Sequence, residues 1–149
     1  MMCGKGVWRK LDSDPNSDTY EGEYLDDKKH GYGEFKWQSG GWYKGFYAHD
    51  LKQGYGEMHW ADGSIYRGTW DKGVQNGLGI ITFANGTRKA GIFQDNKLLE
   101  LLTDKKQIIS SELLLKMQFP KNFKQELKDY VSKLNPTENN QEYLNQNHH

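Results

Sequence analysis

The sequence predicts a mainly β protein: a single-layer, twisted antiparallel sheet of consecutive β-hairpins, with one or two α-helices at the C-terminal end. Two features predict it. Glycines and aromatic residues recur with a 23-residue step across residues 20–96, and beyond residue 97 glycine disappears and leucine-rich stretches take over.

The step is kept by several series at once. Gly22, Gly45, Gly68 and Gly91 form one; Gly31, Gly54 and Gly77 a second; Gly33, Gly56 and Gly79 a third; Gly40, Gly63 and Gly86 a fourth. Tyr24, Tyr47, Trp70 and Phe93 keep it too, as do Trp37, Trp60 and Phe83. Alternate residues of a strand share a face, so Gly54, Gly56, Met58 and Trp60 point one way, and Tyr66, Gly68 and Trp70 of the return strand also share a face. Asp62-Gly63, Ser39-Gly40 and Asn85-Gly86 between the strands are expected to supply the positive φ angles of tight hairpin turns. Glycine flanked by rings leaves bare backbone on which an aromatic of the neighbouring hairpin can lie, offsetting the weakness of glycine in a strand. Each hairpin then buries its rings only against its neighbours. The linker positions hold Asp27, Asp50, Gly73 and Asn96, residue types that tolerate left-handed backbone, so one such turn is expected per repeat.

These residues resemble MORN repeats (membrane occupation and recognition nexus). Tyr20-Glu-Gly-Glu-Tyr24 with His30-Gly-Tyr-Gly33 is similar to the consensus, as are Tyr43-Lys-Gly45 with Gly54-Tyr-Gly56, and Tyr66-Arg-Gly-Thr-Trp70 with Gly77-Leu-Gly79. The resemblance covers residues 20–96, about three repeats plus a partial one; Asp27 and Asp50 replace the usual linker glycine, and Lys89 replaces the leading tyrosine of the last, partial repeat. It implies a non-catalytic scaffold or adaptor, since proteins with such repeats include cytoskeletal and ciliary components, among them axonemal radial-spoke proteins, and adaptors for motor proteins. The expected partners are therefore other protein subunits of a larger assembly. A phospholipid-binding membrane tether and a regulatory subunit of an enzyme complex are the alternatives it also implies.

Four segments follow from the pattern. Residues 1–19 are an extension expected to add one strand, with Gly4-Lys-Gly-Val-Trp8 echoing the repeat and residues 12–18 forming a polar turn. Residues 20–96 are the array, residues 97–135 a helical segment, and residues 136–149 a polar, flexible tail. Within the helical segment, Lys97–Leu102 leads into a first helix over residues 104–117, and Pro120 opens a second one, ended by Asn135-Pro136. In the second helix Phe123, Leu127, Tyr130, Val131 and Leu134 form an amphipathic stripe. The outer face of the sheet is polar in the early repeats and turns aliphatic at Ile65, Leu78, Ile80, Ala90 and Ile92. The first helix is therefore expected to cap that end, leaving the second for a partner.

The candidate protein-binding residues are the rings Tyr32, Trp42, Phe46 and Tyr55, set among charges on that outer face, and the stripe Phe123, Leu127, Tyr130, Val131 and Leu134. Packing within the chain is the alternative for both groups. Lys plus Arg and Asp plus Glu each number 20, so the net charge is zero and nucleic acid is not an expected partner. Residues 20–93 carry nine basic and nine acidic side chains, which ranks membrane lipid below protein.

The single cysteine, Cys3, excludes an internal disulfide and points to a reducing compartment. With no apolar leader, the expected location is the cytoplasm, in association with the cytoskeleton and, following the resemblance, with a cilium or flagellum axoneme. No catalytic residue, metal site or cofactor is expected. His30, His49 and His59 share no register and neighbour no nucleophile motif, and the Gly-x-Gly pairs lack the strand-to-helix setting of a phosphate loop.

Overall fold

The computed structural model describes residues 4–9, 18–116 and 118–134. The expected polar turn lies mostly outside these, as does the tail. The glycine-and-ring pattern folds into nine strands in chain order: β1 (Gly4–Arg9), β2 (Thr19–Leu25), β3 (Lys28–Lys36), β4 (Trp42–Ala48), β5 (Leu51–His59), β6 (Ile65–Asp71), β7 (Val74–Thr82), β8 (Arg88–Gln94) and β9 (Lys97–Leu101). Each pairs antiparallel with the next in one open sheet, so β1 and β9 are its edges. β1 is the extra N-terminal strand, with Gly6 opposite Gly22 just as Gly33 is opposite Gly45.

Two turn chemistries alternate along the ribbon. Asp26-Asp27, His49-Asp50, Lys72-Gly73 and Asp95-Asn96 have positive φ at both residues, the two-residue turn whose twist matches paired strands. The linker expectation holds at the second position of each pair. His49 and Lys72 carry no residue-type signal for the first. In the turns at residues 37–41, 60–64 and 83–87 only Gly40, Gly63 and Gly86 have positive φ, which corrects the assignment of such angles to Ser39, Asp62 and Asn85. Asp62 and Asn85 act instead through their side chains, whose Oδ1 atoms accept the N–H groups of Ser64 (2.8 Å) and Thr87 (3.0 Å).

Tyr20, Tyr43 and Tyr66 hold the array together. Each ring lies across a pair of facing glycines, Gly22 with Gly33, Gly45 with Gly56, and Gly68 with Gly79. A Cβ on Gly33, Gly56 or Gly79 would come within 2.2, 2.1 or 2.5 Å of the ring or its hydroxyl. Each phenol then donates to the carbonyl three residues on, at Glu23, Phe46 or Thr69, always at 2.9 Å. Each ring thus covers a glycine of its own strand and, as expected, one of the neighbouring hairpin across the linker turn. Neighbouring hairpins meet edge to face through Tyr20–Tyr47 (5.6 Å), Tyr43–Trp70 (5.7 Å) and Tyr66–Phe93 (5.0 Å), a continuous ladder of rings.

The ladder ends where Lys89 replaces the tyrosine. Over Gly91 there is no ring; the Glu100 carbonyl and Leu98 of β9 occupy that space. Lys97–Leu101 is therefore a ninth strand, correcting the helical lead-in expected of it. The left-handed pair Asp95-Asn96 reverses the chain, and Leu98 packs against the last rings.

Two helices, α1 (Lys106–Leu115) and α2 (Lys121–Ser132), lie on the opposite face. Asp104 accepts the N–H groups of Lys106 and Gln107, and Gln107 accepts that of Asp104, a reciprocal cap at the start of α1. The core here joins Tyr55, Leu78, Ile80 and Ala90 of the sheet to Leu102, Ile108, Phe119, Phe123 and Leu127. α1 packs Ile108 into this core, as expected of a cap, and leaves Ile109, Leu113 and Leu114 exposed. The expectation that the second helix is left for a partner is corrected: α2 docks through Phe123 and Leu127 and through a bidentate Arg67–Glu126 pair. No helix among the described residues is long and apolar enough to cross a membrane.

Gly56→Ala should cost about 3 kcal/mol or more, because the methyl group collides with Tyr43 and displaces its hydrogen bond. Gly86→Ala, with open space around it and only its φ of 90° to resist, should cost about 1–2 kcal/mol. Denaturant midpoints in the reverse order would refute the ring-over-glycine account.

Candidate functional site

The sequence-predicted residues do not form one patch. Tyr55 is buried beneath the Phe123 ring (5.0 Å, edge to face), and Phe123 and Leu127 are themselves buried. These three belong to the internal core and are withdrawn as partner contacts; the aliphatic slope of the sheet face receives α2 at this point. Tyr130 and Val131 are half-buried against the same core, and Leu134 is half-buried just past α2.

Tyr32 and Phe46 remain on the surface, 46% and 44% exposed, as an edge-to-face pair 5.7 Å apart beyond the reach of α2. Trp42 is half-buried instead, stacked on His59 at 3.5 Å with the Lys44 ammonium 4.6 Å from its ring. Burial under this stack lowers the His59 pKa, opposed by Glu57 at 3.6 Å.

The ring-ladder face carries a site that the sequence reading missed. A groove of about 760 Å³ runs between the second and third repeats, with Lys52, Met58, Trp60, Trp70, Ile81 and Phe83 in its lining. The Lys52 ammonium lies over Trp70 (5.2 Å), Tyr43 (5.5 Å) and Trp37 (5.7 Å), and burial together with Lys29 lowers its pKa. One repeat earlier, Lys29 lies over Phe35 (5.6 Å), Tyr20 (5.7 Å) and Tyr47 (5.8 Å). The signal for these lysines was present in the register Lys29, Lys52, Gln75 and Leu98, hidden because the glycines and rings dominate the period.

The chemistry of these surfaces is that of contact. His30 and His49 lie near each other, ring centroids 5.4 Å apart, but among the described residues no group of three His, Cys, Asp or Glu side chains could hold a metal ion. An open sheet of 23-residue hairpins locked by tyrosine on glycine defines a β-hairpin repeat protein. The MORN repeat family model matches residues 20–42, 43–65 and 66–88, so the sheet carries three consecutive MORN repeats. A search of curated proteins found no match. MORN repeats are consistent with a protein-binding or membrane-binding role, and the family is generally non-catalytic.

The buried phenols make the ladder alkali-sensitive. Burial raises Tyr20 from 10.0 to about 12, and it also raises Tyr43, Tyr47 and Tyr66. The folded chain keeps these protons where the unfolded chain loses them, so their stabilisation is complete below pH 10 and declines as the pH rises beyond it. A spectrophotometric titration should show these phenols ionising together with unfolding; independent ionisation in a still-folded protein would contradict the packing described.

Proposed function

We propose that the protein is a non-catalytic scaffold that binds another protein within a larger cytoskeletal or ciliary assembly of the radial-spoke kind. One observation supports this above the rest. The sheet covers one end of its outer face with its own helices, while the opposite face keeps a preformed groove with Trp60, Trp70 and Phe83 in its lining. Large aromatic side chains anchored on rigid backbone make good interface contacts, because little conformational freedom is lost on binding. The Tyr32–Phe46 pair offers a second contact on the helix-bearing face. Equal numbers of acidic and basic side chains in the array weigh against an anionic membrane as the main target. The cytoskeletal and ciliary setting rests on the kinds of protein in which such repeats occur.

The test is affinity purification of the tagged full chain from its native cell, followed by mass spectrometry. Stable companion proteins should be recovered, and should be lost with a folded Trp60→Ala, Phe83→Ala double variant. A chain that purifies alone, yet co-sediments with anionic vesicles in a salt-sensitive way, would replace the scaffold with a membrane tether. Trp42→Ala with Phe46→Ala reports separately on the outer face: unchanged companions would remove that face from the interface.

A further inference from the structure

We propose that Lys52 is the anion-recognition point of the ring-lined groove, and that it receives an aspartate or glutamate side chain from the partner segment lying there. This rests on the protein-binding reading and names the chemistry of the partner.

The repeat supplies its own internal comparison. Lys29 and Lys52 occupy the same position one repeat apart, and each carbonyl accepts the N–H of the following left-handed turn residue, Asp50 or Gly73, at 2.9 Å. In the first copy the Asp50 side chain returns to that lysine, accepting the Lys29 N–H at 2.7 Å and lying 3.4 Å from its ammonium. In the third copy the Asn96 side chain makes the matching contact with the Gln75 N–H at 2.8 Å. In the middle copy the residue is Gly73, and no side chain is there to return.

Lys52 therefore has the aromatic surroundings of Lys29 without its counter-ion. Among the described residues no carboxylate forms an ion pair with it. A partly buried ammonium without a counter-ion is costly, and a carboxylate in hydrogen-bonding contact offsets that cost. Space for one exists. A Cβ at Gly73 would touch only the Leu51 side chain, at 3.6 Å, and Gly73 and Lys52 both line the groove. The match is to a single negative charge, since Lys29 is already neutralised by Asp50. Asp62 at the groove disfavours a polyanionic surface, whereas Met58, Trp60, Ile81 and Phe83 suit the apolar side chains of a peptide.

The experiment pans a random dodecapeptide display library on the folded full chain. Two variants serve as controls, Lys52→Met and Gly73→Asp; the second supplies the missing carboxylate from within, in a backbone conformation that Asp27 and Asp50 already adopt in this chain. Circular dichroism and melting temperature establish that both are folded. Selected peptides should share one aligned Asp or Glu between apolar residues. A synthetic copy should bind both variants about tenfold more weakly or worse than the parent, and its Glu→Gln or Asp→Asn form should bind all three proteins alike. Groove-dependent peptides with no aligned acid, or equal binding to folded Gly73→Asp, would overturn the assignment of Lys52 while leaving the protein-binding reading standing. A library yielding no peptide sensitive to Trp60→Ala would overturn both. Phosphatidylserine vesicles whose binding both variants abolish would also overturn the proposal, assigning the lysine to a lipid headgroup.

Discussion

A single-layer sheet has no second layer to bury its face against, and this chain meets that constraint by laying a tyrosine ring on two facing glycines in every full repeat. The glycines leave bare backbone, the ring covers it, and the phenol closes the contact on a carbonyl three residues along the same strand. An aromatic side chain removes about 150–250 Å² from water when buried, so a few rings replace the aliphatic core that a small sheet cannot build. Because ring, glycine pair and carbonyl are fixed relative to one another, neither strand can slip. The positive-φ bulge glycines opposite each register shift, Gly31, Gly54 and Gly77, follow from the same fixed geometry.

The two faces of the sheet are under different demands. On the ladder face the same residue types return every 23 positions, since each repeat must present the same surface to the next. The other face is free to change, and does: Glu23, Phe46, Thr69 and Ile92 occupy one register, and Tyr32, Tyr55 and Leu78 another. That gradient from polar to aliphatic decides where the helices land. They settle over Leu78, Ile80 and Ala90, and the Arg67–Glu126 pair fixes α2 along the strands.

The period, the hairpins and the aliphatic landing site were legible because each depends on residues close in sequence or repeated within it. What was not legible depended on distant partners. Tyr32 and Tyr55 share a register and a face, yet one is exposed and the other buried, solely because Phe123 arrives over the second. Lys97–Leu101 has the composition of a helix as much as of a strand, and only the left-handed pair before it and the free edge of β8 decide for the strand. The stripe on α2 was visible as amphipathic, but amphipathicity does not say whether the apolar side meets its own sheet or another chain. The groove was hidden for a different reason: it is built from the repeat residues themselves, which packing alone already explained.

In an array like this, information about binding resides in the departures from the repeat. A residue that every copy shares is accounted for by the stacking of copies, whereas one that differs must answer to something local. Lys89 breaks the tyrosine series and the ladder ends there, with β9 filling the space. Gly73 breaks the Asp/Asn linker series where its neighbours carry side chains that return to the preceding repeat, and nothing in the fold requires it: Asp27, Asp50 and Asn96 also adopt left-handed backbone. The substitution removes a counter-ion at the one lysine that also lines the groove. A platform of near-identical hairpins would bind a long partner in any register, one repeat being as good as the next. A single unpaired charge at one repeat breaks that degeneracy and sets where along the array a partner can lie.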